Sequence, residues 1–305
     1  MDERDPQQRP FWGQASLISG RSVGLLGHVS RPFWGLLGTW AVLCGVVASH
    51  RFQWQKSDLL TLGLVWFLSE VAWGSLWSLA VGTDWFRLLG RGWPPEHPAS
   101  VVALPYTHPR SPGGRLHRWL SRFLGWCRET LWPEAGASLL GLLGALLLTR
   151  LLSLFLPARF RLLQAILAAV IGLGLLWRCR GRAPLAGEAF VLTVLGWWAG
   201  HLAFAPPSGL PLMLAPAFAL AVWGSLRLER GLRGGVALLN AGQVLAAVLL
   251  VVLQRPVAAA AVGLLVLGQG AFQLTLQAGG ERAVVARRIW PWLMASMALA
   301  AWVVP

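Results

Sequence analysis

Hydrophobic residues in this chain fall into long runs separated by short polar links. A transmembrane helix needs about 20 consecutive, mostly apolar residues, and nine runs approach or reach that length. We number them spans one to nine: Phe33–Ser49, Leu59–Gly82, Ala137–Phe155, Leu162–Trp177, Ala186–Ala205, Leu210–Leu226, Val236–Leu253, Val257–Gln277 and Ile289–Val304. The pattern predicts an all-α, polytopic integral membrane protein with about nine transmembrane helices, forming one transmembrane domain over residues 1–305.

The link between spans two and three, residues 83–136, is the one long polar connection. It contains an amphipathic pattern over 115–131, with apolar and Arg-rich positions on opposite faces. The apolar face is formed by Leu116, Trp119, Leu120, Phe123, Leu124, Cys127 and Leu131. A helix of this kind suits the lipid headgroup interface. The alternative is a helix that packs on the ends of other helices.

The composition agrees with a membrane protein. Of the 305 residues, 56% are hydrophobic and only 12% are charged, whereas soluble domains carry about 25% charged residues. An ordinary soluble enzyme and a disordered chain are therefore excluded. The net charge is +14, but the basic residues lie between the apolar runs, where they suit lipid headgroups. We expect no nucleic-acid partner.

The basic residues also predict an orientation. The N-terminal tail (residues 1–30), Arg31 and the links on that side of the membrane carry 20 of the 26 Lys and Arg residues. Because cytoplasmic loops are enriched in Lys and Arg, we expect a cytoplasmic N-terminus and an external C-terminus. The 83–136 link is then a cytoplasmic loop. The expected location is a membrane of the bacterial inner-membrane type.

One acidic residue, Glu70, lies near the middle of span two. An ionisable side chain at that depth is costly in free energy and is a candidate functional group. The alternative is a protonated, hydrogen-bonded glutamate inside the helix bundle.

A polar stripe runs along span eight, where Gln269, Gln273 and Gln277 are spaced by four residues. Asn240 and Gln243 on span seven are placed to meet it. The stripe suits a cavity wall that orients a polar headgroup or a quinone-like ring. The alternative is hydrogen bonding between helices, which is common in membrane bundles.

Three short segments resemble motifs of a known family. Residues 30–34 read Ser-Arg-Pro-Phe-Trp, residues 81–86 read Val-Gly-Thr-Asp-Trp-Phe, and Glu229 follows span six among three arginines. These segments resemble the opening, the first Asp-rich motif and the second acidic motif of the UbiA family of intramembrane prenyltransferases. The layout of nine spans, an internal N-terminus and a long link after span two also resembles that family. Thr83 and Leu88 stand where the first motif has Asn and a further Asp.

The resemblance implies a UbiA-like bundle and a set of site residues. In the family a prenyl diphosphate is held by Mg²⁺ ions that carboxylates of both motifs bind. Carried over, Asp84 and Glu229 are the catalytic residues and Mg²⁺ ligands. The implied substrate-binding residues are Arg227, Arg230 and Arg233 for the diphosphate, with Glu70, Gln269 and Gln273 lining the cavity.

The functional hypothesis is a divergent UbiA-like membrane protein with an isoprenoid- or lipid-binding cavity. If it is catalytic, it transfers a prenyl group from a prenyl diphosphate to an aromatic or lipid acceptor. The alternative is a non-catalytic membrane subunit or assembly factor on the same scaffold, with a membrane-protein partner. A small-solute transporter is a further alternative, since Pro211 and Pro216 in span six hint at a broken helix.

Overall fold

The computed structural model describes residues 37–91, 111–277 and 281–303, and all regular structure within these ranges is helical. The predicted tail over 1–30, the Arg31-Pro32 segment and residues 92–110 of the long link lie outside them. The α-helices are α1 (Leu37–Ser49), α2 (Lys56–Trp66), α3 (Gly74–Gly82), α4 (Trp85–Gly90), α5 (Pro112–Trp126), α6 (Trp132–Ser153), α7 (Phe160–Cys179), α8 (Leu185–Ala189), α9 (Gly196–Phe204), α10 (Gly209–Glu229), α11 (Gly235–Val252), α12 (Pro256–Gln277) and α13 (Arg282–Val303). Three π-helical segments, Phe67–Trp73, Cys127–Leu131 and Phe190–Leu195, join α2 to α3, α5 to α6 and α8 to α9.

Each of the nine predicted spans coincides with a helix or a helical run in the described ranges. Six helical runs in these ranges are long and apolar enough to cross a membrane: Lys56–Gly90, Pro112–Ser153, Phe160–Cys179, Leu212–Glu229, Gly235–Val252 and Pro256–Leu274. The chain is therefore a helical, polytopic membrane protein with six candidate spans. The helices of predicted spans one, five and nine are not among these six.

Two helices begin earlier than the hydropathy pattern predicts. Helix α13 starts at Arg282, seven residues before predicted span nine, because arginine is a good helix former although it is not apolar. The predicted amphipathic helix starts at Pro112 and continues through a π-helical segment into α6. Ser111 caps its first turn by accepting a hydrogen bond from the N–H of Gly114, and a proline at N1 or N2 favours a helix start there.

The apolar face of α5 is exposed in the structure. Leu116, Trp119, Leu120 and Leu124 have 44–65% of their surface accessible. Large apolar side chains in such a row, opposite an Arg-bearing face, suit a helix that lies in the lipid–water interface.

The chain divides into two compact units. Of the described residues, unit one comprises 84–91 and 111–140; it holds α4, α5 and the start of α6, and Arg91 forms an ion pair with Glu134. Unit two comprises His28–Thr83 and Gly141–Pro305 and holds the remaining helices, with two buried apolar clusters between them.

Glycines set the closest helix contacts in unit two. A Cβ atom added at Gly224 of α10 would overlap the backbone N of Leu239 in α11, and one at Gly242 would overlap the backbone of Ala221. Helices α1 and α9 make the same kind of contact, since a Cβ at Gly45 would overlap the carbonyl oxygen of Trp197. Small residues at these positions let two helix backbones touch, which is a main source of helix association in membranes.

Helix α10 runs unbroken through Pro216. Proline has no N–H, so the carbonyl of Leu212, four residues earlier, loses its helical hydrogen-bond donor. The indole Nε1–H of Trp198 donates to that carbonyl at 2.9 Å. A neighbouring helix thus replaces the missing donor, and α10 does not show the break at Pro216 that a transporter-like helix would have.

Candidate functional site

The most strongly charged part of unit two, among the described residues, is formed by the turns α7–α8 and α10–α11 and the start of α13. Arg230 donates to Glu188 of α8 at 2.9 Å, and Arg282 of α13 donates to the carbonyl of Gly231. These contacts bring the α10–α11 turn, the start of α8 and the start of α13 to one end of unit two. We call this surface the Arg-rich end; it comprises Arg178, Arg180, Arg182, Arg227, Arg230, Arg233 and Arg282.

The α10–α11 turn is fixed by its own backbone. The N–H of Leu232 bonds the carbonyl of Arg227 at 2.8 Å and that of Gly231 bonds Leu228 at 3.0 Å, which is the Schellman pattern at a helix C-terminus. Gly231 and Gly234 have φ values of 70° and 78°, a region that glycine adopts without strain. The backbone of this turn is therefore fixed, and so are the positions from which its arginine side chains extend.

Two of the three arginines predicted to bind diphosphate have partners within the protein. Arg227 donates twice to the carbonyl of Arg233, at 2.7 and 3.2 Å, and its guanidinium lies 5.9 Å from the ring centre of Trp223. Arg230 is ion-paired with Glu188. The side chain of Arg233 is exposed, as are Arg180 and Arg182. The exposed guanidinium groups at this end are free to take phosphate oxygens, which match their planar fork of donors.

The two carboxylates assigned to Mg²⁺ lie in different settings. Asp84, in unit one, is the N-cap of α4, where its Oδ1 accepts a hydrogen bond from the N–H of Arg87 at 3.2 Å. Glu229, in unit two, is the last residue of α10 and is partly buried. Within 37–91, 111–277 and 281–303, no three His, Cys, Asp or Glu side chains group closely enough to hold a metal ion.

Glu70 lies in the π-helical segment Phe67–Trp73, which faces α1. Thr39 hydrogen-bonds the carboxylate through its backbone N–H and its hydroxyl. The second carboxylate oxygen, Oε2, is buried and has no hydrogen-bond partner among the described residues. It packs against Gly38, where an added Cβ would overlap it. The glycine thus makes room for the carboxyl group.

The predicted polar stripe is partly paired. Asn240 and Gln273 exchange two hydrogen bonds between α11 and α12, at 3.0 and 2.8 Å. One turn deeper, Gln243 and Gln269 are fully buried, and their amide groups have no partner among the described residues. The structure therefore shows interhelical bonding for one pair; the side chain of Gln277 lies outside the described set.

Sequence reasoning missed Glu188 and Arg282, which join the turns of the Arg-rich end, and Gly38 and Thr39, which surround Glu70. Glu188 carried a usable signal, because it is an acidic residue inside a predicted span. Gly38 carried none, since only the neighbouring helix shows that its missing side chain makes room for a carboxylate.

Comparison of the chain with protein-family models, curated proteins and solved structures gives no match. The fold and the six candidate spans define an integral, helical membrane protein of the polytopic class, and no family is identified.

Proposed function

We propose that this membrane protein binds the phosphate group of an anionic lipid at the Arg-rich end, with a prenyl diphosphate as the first candidate. The observation that carries the proposal is the convergence of two basic turns and the start of α13 through the Arg230–Glu188 and Arg282–Gly231 contacts. The ligand class follows from the resemblance of the sequence to UbiA prenyltransferases and from the chemistry of the arginines.

The arginines divide into two roles under this proposal. Arg227 and Arg230 hold the turn in shape through their bonds to Arg233 and Glu188. Arg182 and Arg233 are exposed and supply charge-assisted hydrogen bonds to phosphate oxygens. A cytoplasmic position for this end follows from the distribution of basic residues along the chain, and the anionic lipids of that leaflet increase the local concentration of such ligands.

Prenyl transfer is the catalytic form of the same proposal. It needs a Mg²⁺ ion, for which the resemblance implies Asp84 and Glu229 as protein ligands; phosphate oxygens and water are the other ligands that this ion usually has. The ion would neutralise the leaving diphosphate. Within the part of the chain that the structure describes, neither carboxylate lies in a group of three His, Cys, Asp or Glu side chains, so phosphate oxygens would have to complete the metal coordination. Glu70, Gln269 and Gln273 would then lie along the apolar chain of the substrate.

The test is binding of geranylgeranyl diphosphate to the full chain in lipid nanodiscs, with Mg²⁺ and with EDTA. We expect Arg233→Gln and Arg182→Gln each to weaken binding about tenfold, because each removes a charged hydrogen-bond donor. The matched control is Arg255→Gln, which changes an exposed arginine in the α11–α12 turn at the opposite end of α11. Equal effects of all three variants would contradict a site at the Arg-rich end.

Asp84→Asn separates catalysis from binding. Asparagine caps a helix as well as aspartate does, so α4 is preserved while the negative charge is lost. If the protein transfers prenyl groups, this variant loses activity and the Mg²⁺ dependence of binding. Unchanged, Mg²⁺-independent binding in both proteins would assign the site to lipid binding alone.

A non-catalytic membrane subunit or assembly factor is the second candidate. The engagement of Asp84 with its own helix favours it, since that carboxylate already has a structural role. This candidate requires a membrane-protein partner that remains bound on purification from native membranes. Loss of that partner in Arg233→Gln, with no diphosphate binding by the parent, would select this second function.

A further inference from the structure

A groove opens where the chain turns from α6 into α7, at the end of α7 that lies away from the Arg-rich end. Its volume is about 410 Å³. The described residues that line it include two arginines, a serine and a glutamine, and the rest of the lining is leucine and alanine. The polar members are Arg150 and Ser153 of α6 and Arg161 and Gln164 of α7. The groove thus combines a positively charged part with an apolar part.

The charge of the groove is positive, and no acidic residue is among the described residues that line it. The side chains of Arg150 and Arg161 are exposed. The sequence contains no Asp or Glu from Ala135 to Gly187, so no carboxylate comes from α7, from the turn or from the part of α6 beside the groove. Arg161 lies in the first turn of α7, where the helix dipole adds to the positive potential. The groove is therefore complementary to an anion.

The arginines supply the charged hydrogen-bond donors of the groove. Ser153 and Gln164 already donate within the protein: the hydroxyl of Ser153 bonds the carbonyl of Arg150 at 2.7 Å, and Nε2 of Gln164 bonds the carbonyl of Thr149 at 3.3 Å. Each guanidinium group carries five N–H donors in a planar fork. That fork matches the oxygens of a phosphate group, so phosphate is the anion that these side chains suit best.

The turn that carries these groups has a fixed backbone. The N–H groups of residues 154–156 and 160–162 each bond the carbonyl three residues earlier, at 2.9–3.4 Å. Leu156 and Phe160 are buried in one of the apolar clusters of unit two. The groove is therefore preformed, and a ligand does not have to order it, which lowers the free-energy cost of binding.

The groove lies at one end of a candidate membrane span. Helix α7 is such a span, and Arg161 and Arg178 lie near its two ends. They are 17 residues apart, which is about 26 Å at 1.5 Å per residue and close to the roughly 30 Å of a bilayer's hydrocarbon core. Since Arg178 belongs to the Arg-rich end, the groove lies at the headgroup depth of the opposite leaflet.

The apolar part of the groove extends from the arginines toward the centre of the membrane. Leu147, Leu151 and Leu154 line it at steps of four and three residues, so they share one face of α6 and the turn that follows it. Their side chains are 72%, 52% and 78% exposed. Because Leu147 lies one helical turn deeper in the span than Leu151, this face runs alongside the acyl chains of the leaflet.

We propose that this groove binds an anionic phospholipid, with its phosphate between Arg150 and Arg161 and an acyl chain along Leu147, Leu151 and Leu154. A zwitterionic phospholipid suits the groove less well, because its ammonium group would lie beside two arginines of the same charge. A free phosphate ion gains nothing from the apolar wall, whereas an acyl chain buries it. Charge and apolar surface together therefore select this class of lipid.

This inference does not rest on the proposed function. It uses other arginines, at the other end of α7 and in the opposite leaflet. Arg233→Gln should weaken diphosphate binding at the Arg-rich end and leave lipid binding at the groove unchanged, so the two assignments can fail separately.

The experiment uses the full chain in dodecyl maltoside micelles, so that each lipid is added in a known amount. The probe is phosphatidylglycerol with a photoactivatable group on one acyl chain, and the labelled peptides are identified by mass spectrometry. We expect labelling within residues 147–164. Unlabelled phosphatidylglycerol should compete for this labelling about tenfold better than phosphatidylcholine, because only phosphatidylglycerol is a net anion.

Three results would overturn the proposal. The first is labelling that does not include residues 147–164. The second is equal competition by the two lipids, which would mean that charge does not select the ligand. The third is competition by glycerophosphoglycerol, the headgroup without acyl chains, that is as strong as competition by phosphatidylglycerol. The groove would then be a site for a free anion and not for a lipid.

Variants of the two arginines give a sharper test. Arg150→Gln and Arg161→Gln should each weaken labelling of residues 147–164 about tenfold, because each removes a charged donor to the phosphate. Both side chains are exposed, so neither change removes a buried contact. Arg255→Gln is the matched control: it removes an exposed arginine from the α11–α12 turn, which the predicted topology puts on the same side of the membrane. An equal effect of all three variants would contradict the proposal.

Filling the groove tests its shape. Ala158 lines the groove and is exposed, and Ala168 is an exposed alanine of α7 that is not part of the lining. Ala158→Phe should reduce labelling of residues 147–164 about tenfold or more, because the ring takes up space that the lipid needs. Ala168→Phe should leave the labelling unchanged. If the two variants label alike, the lipid does not occupy the groove.

Discussion

Helices α10 and α12 are both long, apolar and glycine-bearing, yet α10 is largely buried within unit two and α12 lies at its periphery. In α10, 61% of the spanning residues are buried, against 22% in α12, although α12 is the more hydrophobic helix. The difference lies in what the glycines meet. Gly224 of α10 lies against the backbone of α11, while Gly263 of α12 faces open space.

This comparison shows what decides burial in a membrane protein. Lipid chains are as apolar as leucine, so hydrophobicity does not draw one helix between others. Close backbone contact and hydrogen bonds between helices do so instead. Helix α10 has both, through Gly224 and through the Trp198–Leu212 bond. Helix α12 is attached to α11 by the Asn240–Gln273 pair and faces lipid along much of its length.

The largest expected effect comes from closing the backbone contact of α10. Gly224→Ala adds a methyl group where the backbone of Leu239 lies, so the two helices must separate. We expect a loss of about 1–3 kcal/mol in the free energy of unfolding, as for other overpacked sites. Denaturation of the purified protein by SDS titration measures this loss.

Gly263→Ala on α12 is the matched control. It adds the same methyl group in open space and should raise stability by about 0.5 kcal/mol, since alanine favours the helix over glycine. If both variants shift stability in the same direction, the contrast between the central and the peripheral helix is wrong.

The second effect tests how α10 stays intact around Pro216. Trp198→Phe keeps an aromatic ring, though a smaller one, and removes the donor to the Leu212 carbonyl. An unpaired, partly buried carbonyl costs about 1–3 kcal/mol, so we expect a loss near the lower end, about 1 kcal/mol, in SDS titration.

Pro216→Ala supplies the internal check. Alanine brings back the N–H that bonds the carbonyl four residues earlier, and residue 216 is exposed, so the change removes no buried contact. In this background Trp198→Phe should have little effect on stability. An unchanged loss would show that the indole stabilises α10 in some other way.

The third effect concerns the attachment of α12. A double-mutant cycle with Asn240→Leu and Gln273→Leu should give a coupling of about 0.6 kcal/mol, with an upper bound of about 1.7 kcal/mol, as for other hydrogen bonds between membrane helices. Asn240→Leu combined with Leu264→Ala is the control. Leu264 is 68% exposed on α12, so these two changes should be additive. A coupling of zero for the first pair would mean that the Asn240–Gln273 hydrogen bonds do not hold α12 to α11.

The sequence predicted helices better than it predicted their arrangement. Apolar run length is a local property, so nine runs yielded nine helical runs in the described residues with boundaries mostly within a few residues. Arg282 shows the limit of this prediction. Its charge places it outside the apolar run, so the hydropathy pattern did not include the first residues of α13. The burial order of α10 and α12 could not be read from hydropathy, since it depends on which backbone faces each glycine.

The candidate site was predictable only in part. The three arginines after span six were visible in the sequence, and so was the intramembrane position of Glu70. Their partners were not, because Glu188 and Arg230 are 42 residues apart and Thr39 meets Glu70 across two helices. The assignments of Asp84 and Glu229 to Mg²⁺ came from a resemblance, and they stay predictions.

The smallest expected effect is at the end of α10, where Arg230 meets Glu188. The two side chains are 32% and 21% exposed, so water screens their attraction and the bond should contribute about 0.2–1 kcal/mol, as other exposed ion pairs do. A double-mutant cycle with Arg230→Gln and Glu188→Gln measures it, and the coupling should fall further in 1 M salt, where charges are screened within about 3 Å. A coupling well above 1 kcal/mol that does not change with salt concentration would mean that the Arg-rich end is far less hydrated than the exposed arginines indicate. It would then contribute to the central position of α10 as much as Gly224 does.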